Sequence, residues 1–176
     1  MSSTLSHISR PTVLGGLTSL KNFLETCQKH TEEHSIKPEA FLDARLFPDM
    51  LHFTRQVQMS TDLARRGLDR LLGRELSSVE DTETTFEELI KRVETTYLAW
   101  EKCDQAALDS AGDKISQVPM GKKESIEMTG QNYVMAFLIP NFYFHITTAY
   151  NILRHNGAKL GKRDFLAPVL KASKTL

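Results

Sequence analysis

Between positions 50 and 71 the apolar residues Met50, Phe53, Val57, Ala64, Leu68 and Leu71 fall three, four or seven residues apart. That spacing puts them on one stripe of a helix but would scatter them over both faces of a strand. Arg55, Asp62, Arg65, Arg66, Asp69 and Arg70 fill the other side. Pro48 and Asp49 suit the start of this helix and Gly73 its end, because the first turn has no use for the N–H that proline lacks and a glycine follows the last turn easily. An isolated helix of this length is marginal in water, so the stripe must be buried against other elements.

The partners are other helices. Leu17, Leu20, Phe23, Leu24 and Cys27 mark one running from about Val13 to His34. Leu89, Ile90, Val93, Tyr97, Trp100 and Cys103 mark a third. Thr84 or Thr85 caps its start ahead of Glu87 and Glu88, and it is predicted to reach about Leu108, before Ala111-Gly112. The fourth extends from about Gln131 to Asn156-Gly157, and Pro140 should kink or split it near Ile139. Between the last two, KISQVPM and KESIEMT alternate polar and apolar residues around Gly121-Lys122, which predicts a short β-hairpin. The whole is an all-α four-helix bundle with a small β-hairpin before the last helix. A single domain covers residues 1–176, with 1–12 expected as a mobile N-terminus and Phe165 and Leu166 as a hydrophobic clasp at the other end. Long connections after the first and third helices mean the topology need not be a simple up-down meander.

Charge removes one class of partner. Lys and Arg number 22, as do Asp and Glu, and without a cationic surplus nucleic acid is not the main partner. No segment reaches the roughly 18 consecutive apolar residues of a membrane-spanning helix, so no membrane partner is expected. Cys27 and Cys103 lack a CxxC spacing, which fits a reduced, cytoplasmic chain better than a disulfide framework.

Candidate chemistry centres on His145. Phe142, Thr148, Ala149 and Ile152 share its helix face. Two readings stand: a core histidine satisfied by a neighbouring side chain, or a functional group. A metal site would need at least three protein ligands. His52 on the second helix offers a second, with Asp49 and Gln56 able to add oxygen, while Ala149 cannot ligate. Tyr150 and Arg154, one turn apart, could hold an anionic or carbonyl group. Arg55, if buried, needs a carboxylate such as Asp49 or Asp62, or a ligand. A pocket built around His145 would thus draw on Asp49, Arg55, Gln56 and Thr148.

The segments PDMLHFTRQVQ (48–58) and NFYFHITTAYNILRHNGAKLGKRDFL (141–166) resemble an uncharacterised domain family grouped with the DinB/YfiT-like metalloenzyme candidates. The resemblance covers nearly the whole chain. It implies a four-helix bundle, often homodimeric. It also implies a divalent-metal site made by a histidine of the second helix and an HxxxH pair on the last, serving thiol transfer in some relatives. Carried onto this sequence, His145 matches the first histidine of the pair, Ala149 stands in place of the second, and His52 is the candidate on the second helix.

The expectation is therefore an interhelical pocket centred on His145, with a degenerate metal site holding a divalent metal weakly or not at all. In the enzyme reading the chain is a small-molecule transferase, hydrolase or isomerase, with His145 as acid or base and Tyr150 and Arg154 orienting substrate. In the alternative it is a non-catalytic small-molecule-binding or protein-interaction module, homodimeric. If no buried partner depends on His145, His145→Phe should cost no more than about 1 kcal/mol.

Overall fold

The computed structural model describes residues 4–121 and 123–166. Helix α1 spans Leu5–Glu33, followed by the short α2 (Glu39–Leu42), α3 (Phe53–Leu71), α4 (Phe86–Glu101) and α5 (Gln105–Ser110). Strands β1 (Ile115–Met120) and β2 (Glu124–Thr129) form the antiparallel hairpin, with Val118 opposite Ile126. A helical turn, α6 (Gly130–Asn132), leads into a π-helical stretch (Tyr133–Leu138), then α7 (Ile139–His155) and α8 (Lys162–Phe165).

The four long helices make the bundle, and its topology is not a meander. Helix α1 packs on α4 and α7, α3 packs on the same two, and the consecutive helices α1 and α3 stand across the diagonal. The core is filled by Val13, Leu17 and Leu20 of α1, Phe53 and Val57 of α3, Leu89 and Trp100 of α4, and Phe142 and Ile146 of α7. Each such side chain contributes about 1.5–3 kcal/mol by leaving water. The Trp100 indole donates to the Ala64 carbonyl at 2.9 Å, so its polar edge is satisfied as well. The close approach of α1 to α7 requires Gly16, since a Cβ there would collide with the Phe142 ring and lie 2.9 Å from Ile146.

Several boundaries differ from the sequence reading. Residues 4–12 are not a mobile arm: α1 begins at Leu5, capped by Thr4, and Leu5, Ser6 and Ser9 are buried. The Ser6 N–H donates to Asp109 of α5 at 2.7 Å, which anchors this end. Residues 1–3 lie outside the described part. Helix α3 starts at Phe53 with His52 as its N-cap, so Pro48 and Asp49 belong to the preceding loop. The third helix ends at Glu101, and Asp104 caps a separate α5. The capping box at Thr85 and Glu88 is present as the sequence suggested.

Pro140 breaks the last helix without kinking it freely. The N–H of Ile139 reaches back five residues to the Val134 carbonyl, and Pro140 enters α7 in its first turn, where no N–H is needed. The clasp is formed by Phe165, whose ring lies 5.8 Å from Phe23 and 5.9 Å from Tyr150. Leu166 stays exposed.

Both cysteines are free. Cys27 is fully buried, and loss of solvation pushes its thiol up to about 12. Since the thiolate is the reactive form, Cys27 should stay unmodified by iodoacetamide at about pH 8 in the native protein and react fully in denaturant. Peptide mass mapping after alkylation checks this, and native labelling of Cys27 would contradict the packing of α1.

Candidate functional site

His145 emerges from the inner face of α7 and is 9% exposed. Its Nδ1 lies 2.7 Å from Oε1 of Gln56 on α3. Gln56 is itself buried, and its Nε2 donates to the Leu51 carbonyl at 3.0 Å. That second bond fixes which way the amide faces. Its NH2 is committed to Leu51, so its oxygen must face the imidazole, and His145 Nδ1 carries the proton as donor. The other ring nitrogen, Nε2, then holds the lone pair. It has no hydrogen-bond partner among the described residues. Burial holds the imidazole below its ordinary 6.5, and the ring is neutral near pH 7.

The other expected site residues are placed as follows. His52 caps α3 and directs its Nδ1 to the Leu42 carbonyl at 3.2 Å, which Thr54 Oγ1 also reaches at 3.0 Å. The backbone N–H of Gln56 bonds the His52 carbonyl at 3.0 Å, so His52 lies one turn before the residue that meets His145. Asp49 is exposed in the loop before α3. Thr148 returns its hydroxyl to the Phe144 carbonyl at 2.7 Å. Arg55 pairs with Asp81 and with Gln58 at 2.8 Å, which replaces the Asp49 or Asp62 partner expected from sequence. Tyr150 packs into the Phe23–Phe165 aromatic cluster against α1, with its ring 5.4 Å from Phe23. Arg154 is exposed and donates to the Ala158 carbonyl at 3.1 Å, closing the end of α7. Five and nine residues beyond His145, these two leave its helix face, and the role of orienting a substrate at His145 does not fit them.

The donors present do not make a divalent-metal shell. Among the described residues no three His, Cys, Asp or Glu side chains gather as a ligand set. Ala149 takes the place one turn beyond His145, and the side chain that meets His145 from α3 is a neutral amide.

A second polar centre escaped the sequence reading. Arg92 of α4, its side chain 5% exposed, donates from Nε to Thr61 at 2.9 Å. One terminal nitrogen reaches the Glu80 carbonyl at 3.0 Å and Glu83 at 2.9 Å. The other reaches Asp62 at 2.8 Å and Asp81 at 3.0 Å. All five guanidinium donors are used. Arg92 thereby ties the acidic connection between α3 and α4 onto both helices. The signal was available: Arg92 lies three residues after Leu89 and four before Thr96, inside the buried stripe.

Comparison with known proteins places the fold. The structure is similar to the crystal structure of a DinB family member protein from Shewanella denitrificans, with a TM-score of 0.83 and 32% sequence identity, over 92% of this chain and 91% of that one. No curated protein matches the chain. The sequence matches DUF1993, described as a domain of unknown function, over residues 5–166. A bundle of DinB type, with a histidine on its last helix facing a glutamine where a metal site would need further ligands, is thus this chain's version of a shared scaffold, and the chain belongs to the DUF1993 family.

Proposed function

We propose that the chain handles a small molecule at the Gln56–His145 pair without a metal, with His145 Nε2 as the proton acceptor. The observation that carries this reading is the Leu51–Gln56–His145 relay, which sets the tautomer and leaves the Nε2 lone pair without a partner among the described residues. A neutral imidazole held by a fixed acceptor suits the acid–base steps of a transferase, hydrolase or isomerase near pH 7. Gln56 is uncharged, so it orients the ring without raising its basicity as a carboxylate would. The two free cysteines accord with a reduced, cytoplasmic setting. Among the described residues no helix is long and apolar enough to cross a membrane.

A second reading rests on a different observation. Phe144, beside His145, is 57% exposed, and Phe47 and Leu51 of the loop before α3 are 63% and 40% exposed. Apolar side chains of this size on a surface favour a binding or self-association role, with homodimerisation the form expected of this scaffold.

The test pairs long-range 1H–15N correlation spectra of the His145 ring with a thermal-shift screen of small molecules at about pH 7. The expected tautomer has its proton on Nδ1. Compounds that stabilise the wild type should lose their effect in His145→Asn, which keeps a polar contact for Gln56 but removes the ring base. A proton on Nε2 instead, or stabilisation retained in the variant, would overturn the reading.

A further inference from the structure

The π-helical stretch that accommodates Pro140 also builds a second site, on the other half of α3. Tyr133 and Phe137 lie one turn apart within it, and their rings stack with centroids 5.7 Å apart and planes inclined by 23°. Together with Leu63 of α3 they wall a cavity of about 290 Å³ that opens beside the hairpin at Pro119. Arg66 and Arg70, one turn apart on α3, line the same cavity. The Arg70 guanidinium sits over the Tyr133 ring, 5.4 Å from its centroid, and one terminal nitrogen donates to the Gln117 carbonyl of β1. Its Nε is buried and has no acceptor among the described residues. Arg66 is exposed, and no ion pair or hydrogen bond engages it among the described residues. The one carboxylate on the wall, Asp62, is already held by Arg65 and Arg92, each at 2.8 Å. The cations at this cavity that have no carboxylate partner among the described residues are therefore Arg66 and Arg70.

We propose that this cavity binds a small organic carboxylate carrying an aromatic or branched apolar body. The carboxylate lies between the guanidinium groups of Arg66 and Arg70, and the body packs on Phe137 and Leu63. Arginine favours such an anion because its planar fork matches the two oxygens. The aromatic pair adds an apolar platform that a bare phosphate would not use. The volume stands at the lower end of small-molecule pockets and suits about ten heavy atoms. Pi-helical turns widen a helix locally and recur at functional sites, and here the turn is what sets Tyr133 and Phe137 facing α3. The site shares no residue with the Gln56–His145 pair and stands or falls separately from it.

Phenylacetate is a suitable probe, with phenylacetamide as its uncharged counterpart and inorganic phosphate as an anion without the apolar body. Titrations of the full chain followed by 1H–15N correlation spectra report the arginine Nε–Hε groups directly, and aromatic 1H–13C spectra report the Tyr133 ring. Phenylacetate should shift the Arg70 Nε–Hε and Tyr133 signals saturably, while the amide and phosphate leave them in place. Arg66→Gln, a change at an exposed position that should leave the spectrum otherwise folded, should weaken phenylacetate binding about tenfold. Absence of any shift up to about 10 mM phenylacetate would overturn the proposal. So would equal shifts by the amide or phosphate, or undiminished binding by Arg66→Gln.

Discussion

Arg92→Met is expected to lower the unfolding free energy by about 3 kcal/mol, the low end of the cost of breaking a buried ion pair from one side. The methionine fills most of the space of the arginine stem, so little of the loss is a cavity effect. What the change removes is the common donor of Asp62, Asp81 and Glu83, whose side chains are 22%, 34% and 11% exposed. These carboxylates keep some water, which is why the expected loss stays near the lower limit. Glu83 suffers most, since it is the least exposed of the three, although Gln58 still donates to its other oxygen at 2.8 Å. The Thr61 hydroxyl and the Glu80 carbonyl lose a donor at the same time. The contrast is Arg55→Gln on the same network. Arg55 is one-third exposed, and a pair so open to solvent contributes about 0–1 kcal/mol. Urea unfolding of both variants measures the difference. Equal losses would mean that the tie between α3 and α4 does not depend on Arg92. Hydrogen exchange should also show residues 72–85 losing protection in Arg92→Met, because the connection is held to the bundle through this guanidinium.

The periodicities that fixed the helices were strong because each stripe faces a filled core. Val57, Ala64 and Leu68 lie on the buried side of α3, and Leu89, Val93 and Trp100 on that of α4. The hairpin was legible from alternation, and Thr85 from its cap chemistry. What the pattern could not show was where polar groups are satisfied across the bundle. Arg92 sits 30 residues from Asp62 and 11 from Asp81, so its partners are set by packing and not by local spacing. The start of α1 differs from the sequence expectation for a related reason. Leu5, Ser6 and Ser9 stand in a stretch with too few apolar residues to show a stripe, yet Asp109 and the packing of α5 bury them. Pro140 predicts a kink or a split near Ile139 because a regular helix has no slot for it, and the break falls there, but the π-helical turn that absorbs it leaves no period of its own to read. His145 was placed on the correct apolar face. The sequence puts both Gln56 and His52 beside it, one turn apart, and only the relative rotation and offset of α3 and α7 decide that the imidazole meets Gln56. Tyr150 and Arg154 share a face by their mutual spacing, and their offsets of five and nine residues from His145 already put that face elsewhere on the helix.

His145→Phe should cost about 2 kcal/mol, more than a core histidine without dependants would. The reason lies in Gln56. Its Nε2 is committed to Leu51, and its Oε1 accepts from His145 at the centre of the α3–α7 contact. Phenylalanine keeps an aromatic ring at the site but offers no donor, which strands a buried amide oxygen at a cost of about 1–3 kcal/mol. Gln56→Leu strands the opposite partner, the Nδ1–H. The double variant strands neither and fills the space with apolar atoms, so it should recover to within about 1 kcal/mol of wild type. If the double variant loses as much as the two single losses added, the hydrogen bond is not what couples α3 to α7. The pH dependence gives an independent reading of the same pair. Burial holds His145 below 6.5 in the folded chain. As pH falls through 6.5 the unfolded chain therefore takes up a proton that the folded chain does not. More protons on the unfolded side means that stability rises with pH across this window. The His145 contribution is complete above the unfolded value and declines below it, until the folded imidazole also protonates. His145→Phe should remove that part of the slope while leaving the rest of the acid limb in place. An unchanged slope between about pH 5 and pH 7 would show that the imidazole is as readily protonated in the bundle as in water. The ring would then be cationic at the lower end of that window, and the proton-acceptor role proposed for Nε2 would be confined to pH above about 6.5.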